Sequence, residues 1–164
     1  MGMRKFFAVL ATLTSVAAVA AVTAQADSGA PPWGPATPNF NLQVILRPVE
    51  GAPDSGFGLV KFRQPKDAFT IVYLDAWVRD LAPNQSYNLQ RAVDMDIDGN
   101  CTGTAWVTLG AITTDETGTG RANLFRDLSA IRLGTTFDIH FRVIDAVTKA
   151  VVLQSACYQY TVSQ

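Results

Sequence analysis

Asp94-Met95-Asp96-Ile97-Asp98-Gly99-Asn100 sets three carboxylates at alternate positions and then a glycine. Calcium takes about six to eight oxygen ligands, and a glycine lets the chain turn sharply enough to aim them at one point. Asp94, Asp96 and Asp98 would serve as side-chain ligands, and the Asn100 carbonyl as another. Counted from Asp94, the place of a closing bidentate Glu is taken by Ala105, so an ion here would need oxygens from other loops. The alternative is an empty acidic turn between strands, where Asp, Asn and Gly are favoured for backbone reasons alone.

Other residues offer less. His140 is the single histidine and lies in Asp138-Ile139-His140-Phe141-Arg142. Strand alternation puts Asp138, His140 and Arg142 on one face and Phe137, Ile139 and Phe141 on the other. A base or metal ligand is one reading of His140, and a polar sheet face the other. Nucleophilic catalysis needs a nucleophile, a base and a group that orients the base. No Ser or Thr here sits in a nucleophile-elbow pattern. Asp75, Asp80, Asp115 and Glu116 are the carboxylates on which a small extracellular hydrolase would draw. Tyr73, Trp77 and Trp106 would form either an aromatic strip for a glycan or protein partner, or part of the core. Asn84-Gln85-Ser86 and Asn100-Cys101-Thr102 match the N-glycosylation pattern, which matters only in a eukaryotic host.

The chain start reads as an export signal. Arg4 and Lys5 precede an uncharged Ala/Val/Leu-rich run from Phe6 to Val22, and Ala24-Gln25-Ala26 is a small-x-small cleavage pattern. Residues 1–26 are therefore expected to be removed, leaving no membrane span and a secreted, periplasmic or cell-surface product. Two cysteines in an exported chain, Cys101 and Cys157, imply one disulfide. Losing Arg4 and Lys5 takes 13 basic residues to 11 against 14 acidic, a net charge near −3. With 16% charged residues and no basic stripe, nucleic acid is excluded as a partner.

The elements that must position these residues read as strands. Residues 27–38, rich in Pro, Gly and Ala and carrying Trp33, form a linker, and 39–164 form one domain. Strands are expected at 39–49, 57–63, 69–79, 85–93, 106–113, 121–125, 136–144, 149–154 and 157–162. Turn clusters separate them, and 127–133 offers one turn of helix. This pattern implies an all-β fold, a two-sheet antiparallel sandwich of about nine short strands.

Leu81-Ala82-Pro83-Asn84-Gln85-Ser86-Tyr87-Asn88-Leu89 has the spacing Leu-x-Pro-x-x-x-Tyr-x-Leu. It resembles the corner of fibronectin type III and other immunoglobulin-like domains. The resemblance implies that Leu81 packs inward, Pro83 shapes the turn and the Tyr87 hydroxyl bonds back to nearby backbone. Several strands follow Tyr87, whereas that corner lies near the family's end, so the strand order need not match. The chain is also similar to copper–zinc superoxide dismutase, another secreted sandwich. That family needs several histidines around its metals, and His140 stands alone here, so its activity does not carry over. Immunoglobulin-like domains are mostly recognition or spacer modules, which implies a non-enzymatic binding or structural role without a cofactor, or with calcium alone. Protein recovered from the medium or periplasm of an expressing cell is expected to begin at Asp27 with Cys101 and Cys157 joined. Mass spectrometry that finds residues 1–26 retained would contradict this.

Overall fold

The computed structural model describes residues 41–52, 56–64 and 71–162. The leader, the linker with Trp33, Phe69, and parts of the turns at 50–56 and 64–67 lie outside the described residues. Nine strands follow in order: β1 Asn41–Pro48, β2 Phe57–Arg63, β3 Ile71–Arg79, β4 Ser86–Asp94, β5 Val107–Thr113, β6 Gly120–Asp127, β7 Thr136–Asp145, β8 Val151–Ser155 and β9 Tyr158–Thr161. Period-two patterning drives them. In β1, Leu42, Val44 and Leu46 are buried while Gln43, Ile45 and Arg47 face water. In β3, Val72, Leu74, Ala76 and Val78 are buried, and Tyr73 stands on the open side. No helix occurs among the described residues. The helical turn expected at 127–133 is a pair of tight turns instead. The Asp127 carboxylate accepts from Ser129 N–H (2.7 Å), and Gly134 at φ 80° closes the second turn.

Every ladder is antiparallel, and the strands run β5-β4-β7-β8-β1-β2-β3-β6, with β9 continuing beside β7. Two separate sheets were expected, but one continuous sheet curls into a nearly closed barrel. Residue alternation is the same in a sandwich and a barrel, so only the edges distinguish them. At one edge, Leu46, Arg47 and Pro48 of β1 pair with Ser155, Gln154 and Leu153 of β8. Beyond that point Ile45 N–H donates to the Tyr158 hydroxyl (3.1 Å), which bridges β1 to β9. At the other edge, β5 and β6 are joined at their turn by the Thr114–Gly120 bridge.

Besides the β5–β6 turn, two crossovers, 80–85 and 128–135, carry the chain between the β1-β2-β3-β6 and β5-β4-β7-β8 halves. They cap opposite ends of the barrel. At the first end Leu81 and Tyr87 are buried, and the Tyr87 hydroxyl accepts from Ala82 N–H (3.1 Å). The β5–β6 turn clasps this corner. Buried Thr114 donates its hydroxyl to the Ala82 carbonyl (2.7 Å) and accepts from Gln85 N–H (3.0 Å). Gly118 lies at φ 78°, and a Cβ there would fall 2.1 Å from the Leu81 carbonyl oxygen, so only glycine lets the turn approach. Between the ends, Val44, Val60, Leu89, Phe141, Val143 and Leu153 are fully buried, and the Phe62 ring meets Tyr160 edge-on at 4.6 Å. Tyr87→Phe removes the one acceptor that serves Ala82 N–H. It is expected to cost about 1–2 kcal/mol in urea unfolding with an unchanged slope. A loss below about 0.3 kcal/mol, within the noise of such measurements, would contradict a structural role for that bond.

Candidate functional site

The β4–β5 connection, residues 95–106, folds down over the outer side of β7, with residues 95–100 exposed. Asp138 and His140 are only 1% and 6% exposed, so the expected polar sheet face is present but covered. Three side chains on β7 hold the cover. The Asp138 carboxylate accepts from Asp98 N–H (3.1 Å) and Gly99 N–H (2.8 Å) through one oxygen, and its other oxygen has no partner among the described residues. His140 Nε2 lies 3.0 Å from the Gly103 carbonyl, which requires that nitrogen to carry the proton, and its ring packs on Trp106 at 4.5 Å. Arg142 stacks over Trp106 at 4.0 Å and donates from Nε to Gln90 Oε1 (2.8 Å). A disulfide between Cys101 and Cys157 fixes the middle of this loop to the kink between β8 and β9. It closes a span of 56 residues, and the loop-entropy relation gives about 4 kcal/mol of stabilisation.

Asp94, Asp96, Asp98 and Asn100 lie together at the end of β4 and in the loop after it, and the Asp94 and Asp98 carboxylates bond within that segment. Asp94 accepts from Asp96 N–H (3.2 Å), Thr102 N–H (3.0 Å) and the Thr102 hydroxyl (2.6 Å), and Asp98 accepts from Asn100 N–H (2.8 Å). The Asp94–Asp96 and Asp98–Asn100 bonds are Asx turns, a local backbone device, and the Thr102 bonds close the loop over a longer span. The Thr102 hydroxyl, followed by the backbone amides, holds the Asp94 carboxyl below the usual carboxylate range. Among the described residues, no three acidic, histidine or cysteine side chains are grouped to hold a metal ion.

The other acidic candidates are held apart from one another. Asp75 pairs with Arg63 (3.1 Å) on the outer side of β3, and Asp80 lies 3.6 Å from Arg79. Asp115 takes Thr117 and Thr119 amides inside the β5–β6 turn. The three aromatic candidates also divide. Tyr73 and Trp77 stand on the outer side of β3, where Trp77 meets Phe57 edge-on at 6.0 Å, whereas Trp106 lies across the barrel beneath Arg142.

The sequence reading missed an interior cavity of 170 Å³ at the end of the barrel closed by the 128–135 crossover. Phe62, Leu74, Leu109, Phe137 and Ile139 form much of its wall, and Met95, 63% exposed, stands at its rim. Two arginines also line it, Arg91 and Arg126. Both occupy inward-facing rows. Arg91 pairs with Phe141 between Leu89 opposite Val143 and Val93 opposite Ile139. Arg126 pairs with Val72, two residues beyond Leu124 opposite Leu74. Both sit beside the start of β5, where Arg91 is in register with Val107 and Arg126 donates to the Thr108 carbonyl. No carboxylate lines the cavity among the described residues, and neither arginine has an ion pair there. Burial, then the neighbouring Arg126 charge, lowers the Arg91 pKa. The signal was available in the strand alternation. In Tyr87-x-Leu89-x-Arg91-x-Val93 and Ala122-x-Leu124-x-Arg126-x-Leu128 an arginine interrupts an apolar row.

No protein-family model matches the chain, and no curated protein matches it at a significant level. The geometry alone defines the site. It comprises an apolar cavity with a basic end, in a barrel whose outer loop is clamped by a disulfide. Replacing both cysteines by serine is expected to lower the melting temperature by roughly 10 °C. It should also speed hydrogen exchange at Asp98 and Gly99 while the β4–β7 ladder stays protected. Unchanged exchange at those two amides would show that the disulfide does not hold the cover.

Proposed function

We propose that this chain is an exported, non-enzymatic binding domain that takes a small ligand into its interior cavity. The observation that carries this reading is the cavity itself, which is mostly apolar, has few polar groups and opens beside a flexible methionine. At 170 Å³ it slightly exceeds the size, about 150 Å³, of an apolar protein cavity known to accept benzene. A ligand with one ring, or an alkyl chain of similar bulk, fits that volume.

Several features support the rest of the reading. The leader-like start and the Cys101–Cys157 bridge agree with an oxidising compartment outside the cytoplasm. The Leu81-Pro83-Tyr87 corner, with its hydroxyl-to-backbone bond, supports a kinship in architecture with immunoglobulin-like sandwiches, whose usual role is recognition. His140 has its ring committed to the Gly103 carbonyl and Trp106, which favours a binding role over an acid–base role. On this reading the Asp94–Asn100 loop is a cover held by hydrogen bonds and the disulfide.

Thermal melts in saturating toluene are expected to rise by several degrees, because a ligand that binds only the folded state stabilises it by mass action. Ile131→Trp, which places a ring over the cavity mouth, should abolish that rise while keeping the far-ultraviolet spectrum. A toluene response that survives a folded Ile131→Trp variant would place binding elsewhere and overturn the proposal.

A further inference from the structure

Buried charges in folded proteins are nearly always paired, because an ion removed from water loses hydration that something else must replace. Arg91 and Arg126 are half-buried against an apolar cavity, and neither has an acidic partner among the described residues. The Arg91 side chain makes no hydrogen bond or ion pair among the described residues. Arg126 donates from Nη2 to the Thr108 carbonyl, but its Nε is buried without a partner. Both stand on inward rows otherwise filled by apolar side chains, and both line the same cavity. Two like charges repel, and β4 and β6, on either side of β5, bring them to one cavity that no acidic side chain lines among the described residues.

The missing element is a negative charge of small size. A guanidinium offers parallel N–H donors that match the two oxygens of a carboxylate. The apolar wall opposite sets the rest of the molecule. We infer that the cavity binds a small aryl or short-chain alkyl carboxylate, with its hydrocarbon body among Phe62, Leu74, Leu109 and Ile139 and its carboxylate between Arg91 and Arg126. This inference rests on the cavity being the ligand site and adds the charge of its occupant.

Isothermal titration of the exported protein with benzoate, benzamide and toluene tests it. Benzamide matches benzoate in shape without the charge. Benzoate is expected to bind at least tenfold more tightly than benzamide. Arg91→Gln and Arg126→Gln should each weaken benzoate by about tenfold or more and leave toluene unchanged. If either glutamine variant fails to fold, Arg91→Lys and Arg126→Lys keep the charge and remove the forked donor pair, so they should weaken benzoate while leaving benzamide unaffected. The melting temperature without ligand gives a second readout. Arg91→Met should raise it by removing an uncompensated charge, whereas a purely structural arginine would lower it. Equal affinity for benzoate and benzamide would overturn the carboxylate inference and leave the apolar-ligand reading standing. Absence of binding by all three compounds would overturn both. Benzoate binding undiminished in the double glutamine variant would show that it sits elsewhere.

Discussion

A sheet that curls onto itself must fill its own interior, and the row of inward side chains on each strand decides what fills it. In this chain those rows are apolar almost throughout: Leu42, Val44 and Leu46 on β1, Val72, Leu74 and Val78 on β3, and Phe137, Ile139, Phe141 and Val143 on β7. The rows set the register of every ladder, because a slip of one residue would turn each of them toward water. They also bring the strand edges together, so that β8 meets β1 and β5 meets β6 at the turn. The same constraint makes the two exceptions conspicuous. Arg91 and Arg126 sit in positions that packing alone would give to a leucine, and the interior beside them is hollow rather than filled.

The two barrel ends are built differently. At the end of the 80–85 crossover, backbone and hydroxyl groups satisfy one another closely through Thr114, Tyr87 and Gly118. At the other end, the 128–135 crossover roofs a cavity, and the long β4–β5 loop wraps down the outside of β7 under a disulfide. Asp138 and His140 are the inner side of that wrap. Their burial looks like an active site in outline, but their partners are loop amides, a carbonyl and a tryptophan ring. One end is therefore rigid by hydrogen bonding, and the other has room for a guest.

Much of the fold was legible from alternation and turn chemistry. The nine strands, the Asp115–Gly120 turn and the Cys101–Cys157 bridge follow from residue type and spacing, and the Tyr87 corner bond is what the resemblance to immunoglobulin-like corners implied. Closure of the sheet was not legible, because Leu46, Val60 or Val143 would face inward in either a sandwich or a barrel. The cover over β7 was also hidden, since nothing local to Asp138 or His140 says that a loop more than thirty residues earlier will fold over them. The acidic loop drew attention through its carboxylates, yet Asp94 and Asp98 serve its backbone. The cavity arginines were visible as breaks in two apolar rows, but their meeting depends on β4 and β6 flanking β5, which only the three-dimensional arrangement supplies.

The most direct measurement is a crystal structure of the protein soaked in 4-bromobenzoate, phased to locate the bromine by its anomalous signal. The account predicts bromine inside the barrel among Phe62, Leu74 and Ile139, with both carboxylate oxygens within hydrogen-bond reach of the Arg91 and Arg126 guanidinium groups. Side chains of Arg91 and Arg126 turned out to solvent, over an interior packed solid, would contradict it.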